Sequence, residues 1–506
     1  MKGRSKIIIF FTIILGIYVA VEIIYLSTAP DDKYECLNQL GQTEKPILTD
    51  PLYPHHTFKT INDVSCQNFT RVYDIIEVHT IDDIAKALEF AKEHNLHIST
   101  AGTRHSMGGQ AFFKDAIVLD MRTFNKILSL DETQKTITVQ SGATWHDIQL
   151  FLNEKNLSVK AMQSTDIFTI GGSLSVNAHG MDHTIGSIAG TVKSFTLMMA
   201  DGTIKQIDRK NNLELFNIII GGYGLFGIIL EVELEVTKNV MLIQEIKRMN
   251  IQEFSNYFEQ IQQNDTYSLF YAHLSTSPIT FLNSVITYGY KKVSYDEDAF
   301  PALRNVSLVK LRRLLLNISK KRWYGKVFKW VAEKYIDPLF TQIFKKSLVS
   351  RNEVMHDSVE YLSHIIANEV DILQEYYVPE DRLLDVIKSM RKIFVQKDAI
   401  LLNISIRFVH PESITLNYAP NQMFAIVLYI NQKVTPEGIK TMKELTKELI
   451  DLVLKLKGTF FLPYQLFYTK DQLKQAYPHI DDFFRLKRKY DPELLFMNNF
   501  YAKYAD

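Results

Sequence analysis

Cysteine is almost missing from this chain. Two residues, Cys36 and Cys66, occur in 506. That excludes a scaffold built on disulfides and leaves room for one bridge at most. Net charge is missing too, with 57 Lys and Arg against 57 Asp and Glu. A balanced chain has no general pull towards nucleic acid, and none is expected as a partner. Glycine is sparse, 21 residues in all, and the stretch 239–460 has no glycine-rich loop. What glycine there is gathers in a few short runs nearer the N-terminus. At this length one simple core is excluded, so two domains with appendages are expected.

The N-terminus has its own character. Lys2, Arg4 and Lys6 precede an apolar run, residues 7–26, interrupted by Glu22. Such a run is long enough to cross a bilayer as one helix. A cleaved signal peptide is the alternative, with Ser27-Thr28-Ala29 as small residues, but the length favours an uncleaved anchor. The basic flank predicts a cytoplasmic N-terminus and a catalytic domain outside the cytoplasm. In an oxidising compartment Cys36 and Cys66 are expected to pair, two free thiols being the alternative.

Patterning divides the rest. Residues 1–29 are the anchor, and 30–60 a linker with Pro30, Pro46, Pro51 and Pro54. Residues 61–238 read as a mixed α+β domain. Strands are predicted at 72–78, 96–100, 117–121 and 136–140, with a helix at 82–95 and another opened by Thr144 and Asp147 as a capping pair. A hairpin is predicted at 194–207 around Asp201-Gly202. Residues 239–460 form a second α+β domain, with helices at 381–395 and 436–457 and strands at 400–410 and 424–430. Residues 461–506 are an aromatic tail expected to return to the first domain. Within 306–350, Lys and Arg far outnumber Glu333 and Asp337, with Trp323 and Trp330 interleaved. This predicts a basic amphipathic helix on a membrane surface, with Lys320, Lys321 and Arg322 in contact. A solvated helical face is the equal alternative.

Chemistry concentrates in two loops. Gly102-Thr103-Arg104-His105-Ser106-Met107-Gly108-Gly109-Gln110 follows an apolar strand. Gly171-Gly172-Ser173-Leu174-Ser175-Val176-Asn177-Ala178-His179-Gly180 comes later in the same domain. Glycine permits close approach, and successive N–H groups make an anion nest. Ser106, Ser173 and Ser175 add hydroxyl donors. Either loop alone is an ordinary turn; together they suggest a cradle for a diphosphate cofactor. A third run, Gly222-Tyr223-Gly224-Leu225-Phe226-Gly227, fits the dinucleotide pattern G-x-G-x-x-G. That pattern requires a helix at its end, whereas residues 228–236 alternate like a strand, so a Rossmann turn is rejected. His105, His179 and His183 lack ligand spacing for zinc, and no metal is expected.

With these residues the chain resembles the vanillyl-alcohol oxidase/p-cresol methylhydroxylase superfamily of FAD-linked oxidases. Gly102-Thr103-Arg104-His105-Ser106 and Gly109-Gln110-Ala111 resemble the flavin-attachment loop of cytokinin dehydrogenases and of aldonolactone and alditol oxidases. Thr169-Ile170-Gly171-Gly172-Ser173-Leu174-Ser175 resembles the second pyrophosphate segment, and Asn177-Ala178-His179-Gly180 is similar to a Thr-His-Gly of the aldonolactone and alditol branch. Residues 221–228 resemble the segment closing over the adenine side, and residues 490–498 the C-terminal return.

The resemblance implies a PCMH-type FAD-binding domain at 61–238 and a substrate (cap) domain at 239–460. It implies FAD, carried by His105 through an 8α-histidyl bond. The cofactor-binding residues implied are Gly102, Thr103, Arg104, His105, Ser106, Gln110, Thr169, Gly171, Gly172, Ser175, His179, Gly227 and Ile228. It implies oxidation of a CH–OH group of a polyol, sugar lactone or lipid-linked sugar. A quinone-linked dehydrogenase and an idle flavin-binding module are the alternatives. Arg407, in Asn403-Ile404-Ser405-Ile406-Arg407, matches an arginine that faces the flavin in alditol oxidases. Ser405 stands where their glutamate would be, and no lysine occurs around Pro463-Tyr464-Gln465. Asp166 lies near the position of the acidic base in cytokinin dehydrogenases. Arg407 and Asp166 are therefore the candidate catalytic residues.

Overall fold

The computed structural model describes residues 56–295, 300–304, 309–321, 323–336, 348–357, 359 and 368–505. The apolar run at 7–26 and Cys36 lie outside them, as does part of 306–350. Among the described residues no helix is long and apolar enough to cross a membrane. Cys66 is disulfide-bonded.

The first domain is built on two main sheets with a two-stranded pair beside them. Asp74–Glu77, Ile117–Asp120 and Ile98–Ala101 make a parallel sheet with Ile117–Asp120 in the centre. The central strand is buried throughout, as a parallel strand covered on both faces must be. The helix Ile81–Glu93 covers this sheet with Ile84, Ala87, Leu88 and Ala91, and Thr80 and Asp83 close its N-terminus as a capping box. The segment expected as one strand at 72–78 is divided at Tyr73. Thr70–Val72 pairs instead with Lys59–Ile61, because the chain switches sheets there.

The second sheet is antiparallel. Val192–Met198 and Ile204–Asp208 form the expected hairpin, and Ile228–Lys238 pairs with Val192–Met198 on one side and Thr136–Gln140 on the other. The strand Ile228–Lys238 follows directly on Gly227, with alternate residues buried. The Rossmann reading fails in the structure for the reason given by the sequence.

The second domain is organised around an eight-stranded antiparallel sheet, of which patterning had marked only two strands. At its centre Ile400–Val409 pairs with Met423–Lys433, which pairs in turn with Glu369–Pro379. The helices Leu383–Gln396 and Pro436–Lys455 pack on it through buried apolar stripes. The tail returns to the first domain. Met497 donates its N–H to the Ile98 carbonyl at 2.9 Å, and Ser99 Oγ donates to the Met497 carbonyl at 2.6 Å. A buried Lys487–Asp491 ion pair holds the turn that makes this possible.

Candidate active site

A cavity of about 1260 Å³ lies among both glycine loops, the tail and the cap sheet. It exceeds the roughly 300–1,000 Å³ of an ordinary small-ligand pocket. Gly102, Thr103, Arg104, His105, Ser106 and Gln110 line it from the first loop. Thr169, Gly171, Gly172, Ser175 and His179 line it from the second, joined by Gly227, Ile228 and, from the cap, Arg407.

The loops are fitted to each other. A Cβ on Gly102 would lie 2.1 Å from Thr169 Oγ1, so only glycine permits this approach. Arg104 adopts a left-handed φ of 56°, which turns the chain between Thr103 and His105. The loop is braced from outside. Asp63 Oδ2 accepts from Gly109 N at 3.0 Å, and Gln110 Nε2 donates to the Leu462 and Tyr464 carbonyls at 2.8 and 3.0 Å. Burial pushes the Asp63 carboxyl up to about 6. Nothing in the local pattern had marked Asp63.

The cavity presents polar groups without protein partners. The N–H groups of Thr103, Arg104, His105 and Ser106 have no acceptor among the described residues. Ser141 Oγ, Ser164 Oγ, Arg104 Nε, Arg407 Nε and both ring nitrogens of His105 are buried and unpartnered. Orphaned donors beside paired glycine loops fit a dinucleotide diphosphate, which supplies the missing acceptors. His105 stands edge-on to Phe168 with ring centroids 5.1 Å apart. Burial lowers its pKa to about 4, so its imidazole is neutral at pH 7.

The cap sheet supplies a carboxylate that the sequence did not reveal. Glu375 and Ser405 both stand opposite Val427, one on each side of the central strand. All three line the cavity. The acidic group absent at 405 is thus present across the sheet at 375. Its strand also carries Glu369, Asp371 and Gln374, so no local pattern singles Glu375 out. Glu375 Oε1 makes a short contact with His179 Nε2, and Tyr464 Oη donates to Glu375 Oε2 at 3.4 Å. Burial alone would raise the Glu375 pKa, but His179 and Arg407 together hold it below the usual range. The opposite outcome belongs to Tyr464, pushed well up by burial and by Glu375.

Asp166 is placed differently. It is buried but does not line the cavity, and its Oδ2 lies 2.8 Å from both His146 Nδ1 and His356 Nδ1. His183 is buried against Phe258 and Phe270, away from His179's partners. Lys320, expected at a membrane surface, is instead buried in an ion pair with Asp371. Its helix, Val309–Lys321, turns that face inwards because Leu315 and Leu316 line the cavity beside it.

Comparison with known proteins gives a consistent picture. Residues 74–208 match a family described as FAD binding domain, and residues 232–504 match one described as D-arabinono-1,4-lactone oxidase. L-gulonolactone oxidase of Mus musculus is 25% identical over 36% of this chain and 42% of its own length. Decaprenylphosphoryl-beta-D-ribose oxidase of Mycolicibacterium smegmatis is 29% identical over 29% of this chain and 32% of its own. Cytokinin dehydrogenase 2 of Arabidopsis thaliana is 22% identical over 82% of this chain and 85% of its own. Apart from that last match, the chain spans about two fifths or less of these curated relatives.

Proposed function

The chain belongs to the D-arabinono-1,4-lactone oxidase family, within the PCMH-type FAD oxidase superfamily, with FAD as its cofactor, and on that premise we propose that it oxidises a CH–OH group. The substrate classes are a polyol, a sugar lactone or a lipid-linked sugar. The observation carrying this reading is the grouping of Glu375, His179 and Arg407 on the cavity that the glycine loops share.

The glycine loops and Arg104 would hold the diphosphate of FAD, and His105 would tether the flavin. When bound, FAD supplies the hydride acceptor at flavin N5. The protein's part is to place the alcohol and take its proton. Glu375, kept ionised by its neighbours, accepts the hydroxyl proton, with His179 as the group that shares it. Arg407, its Nε unpartnered, holds the substrate oxygen in line. Asp166 has no role in this reading, since it faces two histidines.

The lipid-linked class draws support from the helices Val309–Lys321 and Trp323–Val331. Trp323 is 68% exposed and Tyr335 55%, while Phe328 is both exposed and part of the cavity lining. An aromatic surface leading into the cavity suits an amphiphile held at a membrane. Residues 7–26 would anchor the chain there as a single span, with the catalytic domain outside the cytoplasm. The bonded Cys66 is in keeping with an oxidising compartment.

Flavin bleaching in a stopped-flow panel of polyols, sugar lactones and polyprenyl-phosphate sugars tests the reading. Rapid bleaching by one class, lost in Glu375→Gln, is expected. Bleaching by none, or an unimpaired Glu375→Gln enzyme, would overturn it. The tether has its own test: flavin fluorescence should stay with the denatured polypeptide in a gel. Release of all flavin by acid would refute it.

A further inference from the structure

His146, Asp166 and His356 come from three separate segments and converge. His146 lies in the first turn of the helix Trp145–Asn153, which Thr144 and Asp147 fix with a capping box. Asp166 precedes the second glycine loop. His356 follows the helix Arg351–Met355 of the cap domain. The main chain already joins them: His146 N donates to the Asp166 carbonyl at 2.8 Å, and Asp166 N to the Asp357 carbonyl at 3.2 Å.

The side chains then bring two imidazole nitrogens and one carboxylate oxygen within 4.8 Å of one another. The two rings lie nearly parallel with centroids 5.0 Å apart. His146 Nδ1 makes a hydrogen bond to Asp166 Oδ2. His356 Nδ1 pairs with the same oxygen, also at 2.8 Å. One carboxylate oxygen thus faces two imidazole nitrogens, and a cation among the three atoms can take a lone pair from each.

We propose that His146, Asp166 and His356 bind a zinc-class divalent metal that clasps the FAD-binding domain to the cap domain beside the cavity. Two nitrogens and one oxygen suit Zn²⁺, whereas Mg²⁺ and Ca²⁺ favour oxygen alone. On binding, each Nδ1 offers its lone pair and any proton there passes to solvent. His146 is 43% exposed at its side chain, against 4% for Asp166, which leaves a path of entry and a place for water as fourth ligand. Thr165 and Phe168 on one side of the clasp, and Val354 and Asp357 on the other, line the cavity. The metal would hold those two walls in register. This departs from the sequence expectation of no metal, which weighed other histidines.

The test uses the full chain, stripped with chelator and titrated with Zn²⁺ alone. One equivalent should remain after gel filtration, and saturating metal should raise Tm by about 3 °C. His146→Gln and His356→Gln, one on each side of the interface, should each weaken binding by about 100-fold. Flavin content in the absence of metal shows whether either variant has folded. In the wild-type chain, Zn²⁺ should also protect the half-exposed His146 from acylation by diethyl pyrocarbonate, read by peptide mass. No stoichiometric Zn²⁺, equal binding by both folded variants, or no protection in the wild type would overturn the proposal. A clasp held by hydrogen bonds alone gives the first and third of these results.

Discussion

The first glycine loop brings Gly102, Arg104 and His105 to the cavity within one turn of chain, whereas Glu375 and Arg407 reach it from two strands of the cap domain and meet His179 of the second glycine loop there. The loop's geometry is local. It depends on a glycine at the crossing with Thr169 and on a left-handed Arg104. The cap sheet's geometry is a matter of register, and a slip of one residue would turn Glu375 away from the cavity. Cofactor binding and substrate chemistry are thus vulnerable to different kinds of change.

The comparison breaks first at Glu375. Glu375→Gln should slow flavin reduction by about 10²–10⁴-fold while leaving flavin content intact, measured by single-turnover bleaching and absorbance. Ser405→Ala, in the same row of the sheet, should change the rate by less than about threefold, because no proton is assigned to it. If the two variants were equally impaired, the row as a whole, and not the carboxylate, would be the cause.

A second test separates the domains by pH. Burial pushes His183 down to about 4, from an ordinary value of 6.5. Between these values the unfolded chain binds the proton and the folded chain does not. Stability from His183 is therefore complete above pH 6.5 and lost as pH falls towards 4. Relative to His183→Gln, the wild type should lose about 2–3 kcal/mol over that range in chemical denaturation. An unchanged difference would show that His183 is not buried neutral.

A third test is steric. Gly102→Ala forces Thr169 aside, and overpacking of this kind costs about 1–3 kcal/mol. Flavin content should fall while the cap sheet, read by its protection from hydrogen exchange, is unaffected. The smallest effect is expected at the surface. Trp323→Ala should change stability by no more than about 0.5 kcal/mol, yet lower binding to anionic liposomes. Equal liposome binding would remove the membrane role of that helix.

The regions differ in the same way in how much could be read from sequence. The strand alternation at Ile228–Lys238, the capping box at Thr144 and the hairpin before Asp208 all hold, because each signal lies within a few residues of its effect. The expected cofactor residues of both loops line one cavity for the same reason. Asp166 stands where the resemblance places an acidic base, but His146 and His356, distant in the chain, surround it. Lys320, in the basic run expected on a membrane surface, pairs instead with Asp371 of a distant strand.

The sequence by itself determined the cofactor cradle. Close approach of a diphosphate needs glycine and free N–H groups at fixed short spacing, and those are properties of a few consecutive residues. Only the tertiary structure decided the chemistry beside it. Glu375 reaches the cavity through the pairing of Glu369–Pro379 with Met423–Lys433, and Arg407 through the pairing of that strand with Ile400–Val409. Such pairings join residues far apart in the chain, and their register depends on the packing of the whole sheet.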